Sequence, residues 1–338
     1  MLDNSNTLSN LTMISKLLKP SLLISLFSCN AFILSAQTWE KVSPVNNCTN
    51  RHENTLTAVG DKIVLFGGRG IKPTEIYNTK TQTWETTPPT PIEIHHLQAV
   101  TFQNEVYAIM ALTGQYPHES PIPNIYIYNP SKKEWRVGPE IPKERLRGSA
   151  GCVVYKNKIY LVNGITDGHW DGHVAWFDEY DPKTNQWKKM ADAPHVRDHV
   201  SVAIINDKLY VAGGRRSTAR INQVLNLTEP AIDVYDFKTN KWSTLPSELN
   251  LPTQRAGNSS VSLGDKLLVI GGESAAQVPS HNEVEAFDTK KMQWVPFPHL
   301  NQGRHGTGAA VINGKVYSIA GSANRGGGPE LNTIEVLK

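Results

Sequence analysis

Apolar residues from position 38 onward come in short runs, set in pairs around polar turns, without the 3.6-residue periodicity of helices. In His199-Val-Ser-Val-Ala-Ile-Ile205, Asn206-Asp207-Lys208 and Leu209-Tyr-Val-Ala-Gly-Gly214, two such runs flank a turn, which predicts an antiparallel hairpin. The same arrangement recurs at 55–68, 97–111, 149–164, 259–272 and 307–321. Each is followed by a second hairpin, in which an aromatic residue, a turn segment such as Asp181-Pro-Lys-Thr-Asn-Gln186 and a tryptophan succeed one another. Trp39, Trp84, Trp135, Trp187, Trp242 and Trp294 follow at 45, 51, 52, 55 and 52 residues, and Tyr77, Tyr128, Tyr180, Tyr235 and Phe287 stand seven before the last five. Four strands per unit and six units predict an all-β fold, a six-bladed β-propeller of four-stranded antiparallel blades.

The last unit stops after its third strand, Thr333-Ile-Glu-Val-Leu337, and the strand it lacks stands at the other end as Thr38-Trp39-Glu40-Lys41-Val42. The N-terminal strand is therefore expected to close the ring, removing the free edge that would otherwise invite aggregation. Ahead of it, Met13 to Gln37 carries Lys16 and Lys19, an apolar run from Leu22 through Leu34, and the small pair Ser35-Ala36. That is the layout of a secretory signal, giving domains of 1–36 (signal peptide) and 37–338 (propeller) and a secreted or periplasmic location. Leu26-Phe27-Ser28-Cys29 offers a lipid anchor through Cys29 as the lesser alternative. The apolar run is too short and interrupted for a stable membrane span.

Composition narrows the partners. Thirty-four Lys plus Arg against 31 Asp plus Glu leave a net charge of +3 over 338 residues, which argues against nucleic acid as a partner. Cys48 and Cys152, the two cysteines after position 36, make no disulfide framework. No oligomerisation segment is evident, so a monomer is expected.

After the second strand of each unit comes Gly67-Gly68, Gly213-Gly214 or Gly271-Gly272, softened to Asn163-Gly164 and Ala320-Gly321 and replaced by Met110-Ala111 in the second unit. These glycines, with the aromatic and tryptophan seven apart, resemble the Kelch-repeat family over the whole stretch from Thr38 to Lys338. The aromatics are expected to pack between blades, and the glycines to allow tight turns or close approach.

Sixteen residues before the first glycine position stands an arginine in five units: Arg51, Arg147, Arg197, Arg255 and Arg304, with Ile94 at that register in the second. Because the first two strands form a hairpin, arginine and post-glycine residues share one rim. The variable connections, 9 to 21 residues from second glycine position to third-strand aromatic, lie on the same rim. Five arginines are thus expected to ring the channel mouth, joined by Arg69, Arg215 and Glu273. The alternative is that they pair with carboxylates such as Glu53, Asp198 and Glu273 and tie blade to blade. His52, His95, His96, His199 and His305 fall beside the arginine register, so imidazoles are expected to converge there, as a transition-metal site or as acid/base groups. Spacing alone assigns no metal and no cofactor. In the loop Asp167-Gly-His-Trp-Asp-Gly-His173, Trp170 is read as a stacking face for a sugar, with Asp167 and His169 binding hydroxyls, against the alternative of an ordinary turn.

Three functions follow. The favoured one is a small-ligand site at the Arg/His-rimmed mouth for a carbohydrate, an anionic one suiting guanidinium forks. The second rests on resemblance: exported bacterial Kelch propellers include sialic acid mutarotases, similar in size and blade number, which implies a sugar isomerase with Arg197, Arg304, His199 and Glu273 as candidates. Galactose oxidases also carry a Kelch ring, but Cys152 in mid-strand and Cys48 in a connecting loop do not supply their crosslinked Cys–Tyr. The third is a protein-interaction platform, as in eukaryotic Kelch adaptors.

Overall fold

A computed structural model describes residues 37–338; the expected signal segment and the Cys29 alternative lie outside the described residues. Six four-stranded antiparallel sheets succeed one another along the chain. Blade 1 comprises Asn54–Val59, Lys62–Gly67, Thr74–Asn78 and Thr83–Thr87, paired in that order. Blades 2 to 5 repeat the order, with first strands Val100–Phe102, Gly151–Tyr155, Ser201–Ile205 and Ser259–Leu263. In blade 6, strands Ala309–Ile312, Lys315–Ile319 and Ile334–Leu337 are completed by Trp39–Val42, with Trp39 opposite Leu337 and Val42 opposite Ile334. The ring closes as the strand count predicts.

The constant seven-residue spacing has a local cause. Asn78 and Asn129 accept backbone N–H bonds from residues two and three further on, as do Asp236 and Asp288, forming Asx turns. A left-handed residue, Gln82, Lys133, Asn240 or Met292, then returns the chain to the fourth strand. The aromatic and the tryptophan end up directly opposite, as in Tyr77 and Trp84, with ring centroids 4.6 to 5.2 Å apart across five blades. Several indoles also bond to the preceding blade: Trp39 to the Pro298 carbonyl, Trp135 to Thr74, Trp242 to the Ala191 carbonyl. The expected packing of aromatics between blades is what forms.

The register arginines are sealed inside the blades. Arg51, Arg147, Arg197, Arg255 and Arg304 are at most 1% exposed. Each guanidinium donates to the carbonyl of its own blade's first glycine-position residue, Gly67, Asn163, Gly213, Gly271 and Ala320, at 2.5 to 3.2 Å. Each also pairs with a third-strand carboxylate, Glu75, Asp178, Asp233, Glu285 and Glu335, at 2.5 to 2.9 Å. The backbone of the same arginine reaches the neighbouring blade, since the N–H of Gly164, Gly214, Gly272 and Gly321 donates to the carbonyl of Arg197, Arg255, Arg304 and Arg51 at 2.9 to 3.0 Å. The second glycine is required there: a Cβ on Gly68, at φ +108°, would meet the His52 carbonyl at 2.8 Å. An open ring of five arginines at the mouth, expected from the sequence, is therefore not formed. Their acid partners are third-strand residues rather than Glu53, Asp198 or Glu273.

Cys48 and Cys152 are both free and buried. No helix among the described residues is long and apolar enough to cross a membrane.

Asp233→Ala leaves the Arg197 charge buried without its partner and is expected to cost about 3–5 kcal/mol, while Arg197→Ile with Asp233→Ala recovers part of that loss. Denaturant midpoints read both, and a double variant as unstable as the sum of the singles would contradict the pairing. Deleting 38–43 opens blade 6, so the melting temperature should fall for the whole ring; an unchanged melt would contradict closure by this strand.

Candidate functional site

Two residues after the arginine register the chain turns through the left-handed region in all six blades. The residues are Glu53, His96, Ser149, His199, Gly257 and Gly306, with φ between 50° and 63°. The turns are linked around the axis by hydrogen bonds. His96 N–H donates to the Glu53 carbonyl, Ser149 N–H to His96, Gly257 N–H to His199 and Gly306 N–H to Gly257, at 2.9 to 3.1 Å. His199 N–H uses the Ser149 hydroxyl at 3.0 Å, and Asn54 N–H closes the circuit on the Gly306 carbonyl at 3.1 Å. This collar pinches the central channel to a cavity of about 50 Å³. On the glycine-pair side lies a mouth cavity of about 420 Å³, and a cavity of about 400 Å³ lies among the first strands beyond the collar. Glycine takes the left-handed turn freely, whereas a side chain there costs roughly 1–2 kcal/mol, so four of six collar positions accept strain to hold a side chain at the axis.

Above the collar, unequal connections supply the remaining groups. Blade 2 inserts the hairpin Leu112–Thr113 with Ser120–Pro121, and blade 3 inserts Ile165–Asp167 with Asp171–His173. The first delivers Glu119, fully buried, and the second delivers His169 beside it, Nδ1 to Oε1 at 2.9 Å. Arg69 donates to the same Glu119 oxygen at 2.6 Å. Opposite, Arg215 pairs with Glu273 at 2.5 Å, and His305 Nε2 stands 3.3 Å from Glu273 and 3.5 Å from Glu53. His199 Nδ1 bonds to Asp198, which also accepts from Ser217.

Of the residues singled out in the sequence, His52, Arg69, His169, Arg215 and Glu273 line the mouth, together with Glu53, Gln115, Tyr116, Val224, Leu225 and Gly326. His96 and His199 line the constriction beneath it. His95 is packed behind His96, its Nε2 on the Gly114 carbonyl at 3.1 Å. Asp167 and Trp170 do not line the mouth; they engage His118, by a 3.1 Å contact and by rings 4.6 Å apart. The loop that carries them is an ordinary hairpin, Asp167 opposite Asp171, and only His169 turns to the axis. Glu119 and Tyr116 were missed because the connection from second to third strand changes in length and sequence from blade to blade, so no register marks them.

Burial and charge set the protonation of this cluster. Burial lowers His96 well below the usual histidine range and, with Arg215 nearby, takes His199 down to about 4, so both stay neutral at pH 7. Burial opposes charge on His305 too, but Glu273 and Glu53 outweigh it and push that imidazole up. Burial would raise Glu273, yet His305 and Arg215 prevail and hold it at about 2. The site thus presents carboxylates, the His305 imidazole raised toward its charged form, and the neutral imidazoles of His96 and His199, able to hydrogen-bond hydroxyls and to exchange protons.

Comparison with known proteins places this geometry. The profile of the Attractin/LZTR1 beta-propeller matches residues 25–278. The Kelch-like protein terF of Aspergillus terreus is 28% identical over 282 residues, covering 79% of this chain and 60% of that protein. Kelch-like protein 38 of Rattus norvegicus is 23% identical over 309 residues, covering 89% and 50%. Alpha-scruin of Limulus polyphemus is 26% identical over 246 residues, covering 69% and 26%. The chain spans 60% of the length of the first of these relatives, half of the second and about a quarter of the third. The solved structure of YjhT superimposes with a TM-score of 0.72 at 15% identity, covering 86% of this chain and 95% of that one, and so shares the fold.

Proposed function

Since the chain belongs to the Attractin/LZTR1 beta-propeller family and carries Kelch repeats, we propose that it is an exported protein whose channel mouth binds a small hydroxyl-rich ligand, a carbohydrate. The mouth cavity carries this reading. Its volume, about 420 Å³, falls in the ~300–1,000 Å³ range of small-molecule pockets. Tyr116, 55% exposed, offers an aromatic face at its edge, while Arg69, His169, Arg215, Glu53 and Glu273 supply donors and acceptors around it. The signal-like layout ahead of Gln37 supports export.

An anionic sugar has lost its main support. The five register arginines are sealed within blades, and the two guanidiniums lining the mouth, Arg69 and Arg215, already face Glu119 and Glu273. A neutral sugar, whose hydroxyls bridge such acid–base pairs, fits better. A second reading, a sugar isomerase, is favoured by His305 Nε2 lying between the Glu53 and Glu273 carboxylates, where a proton has three places to rest.

In a thermal-shift panel of neutral sugars, uronates, sialate and sulfated sugars, stabilisation by neutral members is expected, and no response to any member would overturn the proposal. Tyr116→Ala should weaken such binding by about 0.5–1.5 kcal/mol, and Arg69→Ala by about 1.5–3 kcal/mol. If the isomerase reading holds, proton NMR should show anomer exchange of a bound sugar accelerated by the protein and slowed by Glu273→Gln; exchange at the uncatalysed rate would leave binding alone.

A further inference from the structure

Three imidazoles meet at the floor of the mouth. The ring centroids of His96, His169 and His199 are 4.7 to 5.1 Å apart, and one ring nitrogen of each lies within 4.8 Å of those of the other two. All three side chains are more than nine-tenths buried. The Nε2 atoms of His96 and His199 have no hydrogen-bond partner, although a buried polar atom without one is costly.

The surrounding bonds decide which nitrogen of each ring carries the proton. The Gly114 carbonyl can only accept, so His95 Nε2 donates to it and His95 Nδ1 is left as an acceptor. His96 Nδ1, 2.6 Å away, must then be the donor, and its Nε2 keeps the lone pair. His199 Nδ1 donates to the Asp198 carboxylate and His169 Nδ1 to the Glu119 carboxylate, leaving Nε2 bare in each ring. Each of the three rings thus keeps an unprotonated nitrogen in a cluster whose ring nitrogens lie within 4.8 Å of one another, and a further acceptor, Glu53 Oε2, stands 3.2 Å from His96 Nε2. None of the described residues donates a hydrogen bond to these nitrogens, so the cluster calls for a guest that takes up their lone pairs, a cation or the hydrogens of a water.

We propose that His96, His169 and His199 bind a divalent transition-metal ion of the zinc type through their Nε2 atoms at the floor of the mouth. The donor set suits it: three imidazoles with a position left open is a recurrent zinc arrangement, and imidazole also serves copper, iron and nickel. Ligand nitrogens ~3.4 Å apart, as tetrahedral bonds of ~2.1 Å require, are reached from the present spacing by shifts of under about 1 Å. Glu119 and Asp198 hold two of the rings by the carboxylate–imidazole contact that fixes metal-binding histidines. Around the three rings, the carboxylates of Glu53, Glu119, Asp198 and Glu273 outnumber the guanidiniums of Arg69 and Arg215 with the His305 imidazole counted beside them, four to three, so the shell still leans toward a positive guest. Entry is from the mouth, which His169 lines. The open position faces the cavity assigned above to a sugar, but the metal does not rest on that assignment.

The test uses the full-length chain, treated with a chelator and then titrated with Zn²⁺ alone by calorimetry, with Co²⁺ absorption as a second readout. About one equivalent is expected, with a rise in melting temperature and the visible bands of a nitrogen-ligated Co²⁺ ion. Glu119→Gln should weaken binding ~10- to 100-fold while leaving one site. His169→Gln, altered at the rim of the cluster, should abolish the Co²⁺ bands, whereas His118→Gln, an exposed histidine outside the cluster, should leave them intact. Failure to bind one equivalent, or uptake unaffected by His169→Gln in a variant that melts like the parent, would overturn the proposal. Sugar binding by a protein that takes up no zinc would leave the ligand reading standing while this one falls.

Discussion

The ring depends on a buried ion pair repeated five times. An arginine ahead of the first strand is neutralised by a carboxylate from the third, and it also donates to backbone carbonyls at the end of the second strand and ahead of the third, as Arg197 does to Gly213 and Ala231. Because the same residue's carbonyl accepts from the preceding blade, one arginine sets both the internal geometry of its blade and the angle to its neighbour. Blade 2 shows the exchange that electrostatics predicts. Ile94 stands in place of the arginine and Tyr126 in place of the acid, so both charges are gone together and both positions join the same buried apolar cluster. A buried pair and a buried apolar pair are comparable in stability, but half of a pair is not tolerated.

Fixing the blade heads in this way lets the six turns that follow converge on the axis. Gly257 and Gly306 occupy their collar positions at no conformational cost, while Glu53, His96, Ser149 and His199 carry side chains through a strained backbone region. The strain gathers where imidazoles and carboxylates gather. The hairpins of blades 2 and 3 then fold inward over the collar, because connections free of sheet pairing can vary in length without disturbing the ring. Their contributions, Glu119 and His169, complete a polar floor that no single blade contains.

The aromatic spacing, the glycine pairs and the strand count could be read directly from the chain, since each is a local requirement repeated at a fixed register. The arginine register was equally visible, but its meaning was inverted. What pointed the other way was an acid two residues before the third-strand aromatic, at Glu75, Asp178, Asp233 and Glu285, absent only in the blade that also lacks arginine. Such paired presence and paired absence signals an internal ion pair rather than a ligand site. Trp170 misled for another reason: it shares the hairpin's three-residue turn with His169, but it stacks on His118 while only His169 bonds to Glu119.

The chain by itself therefore determined the number of blades, the closing strand and the rim on which variable segments lie, because hydrophobic alternation and turn chemistry act over a few residues at a time. Which groups meet at the axis was decided only by the tertiary structure. His96, His169 and His199 come from three different blades, and their orientations are set by partners as far off in sequence as Glu119 and Gly114. Convergence of that kind depends on the radius and tilt of the closed ring, quantities that no single repeat encodes.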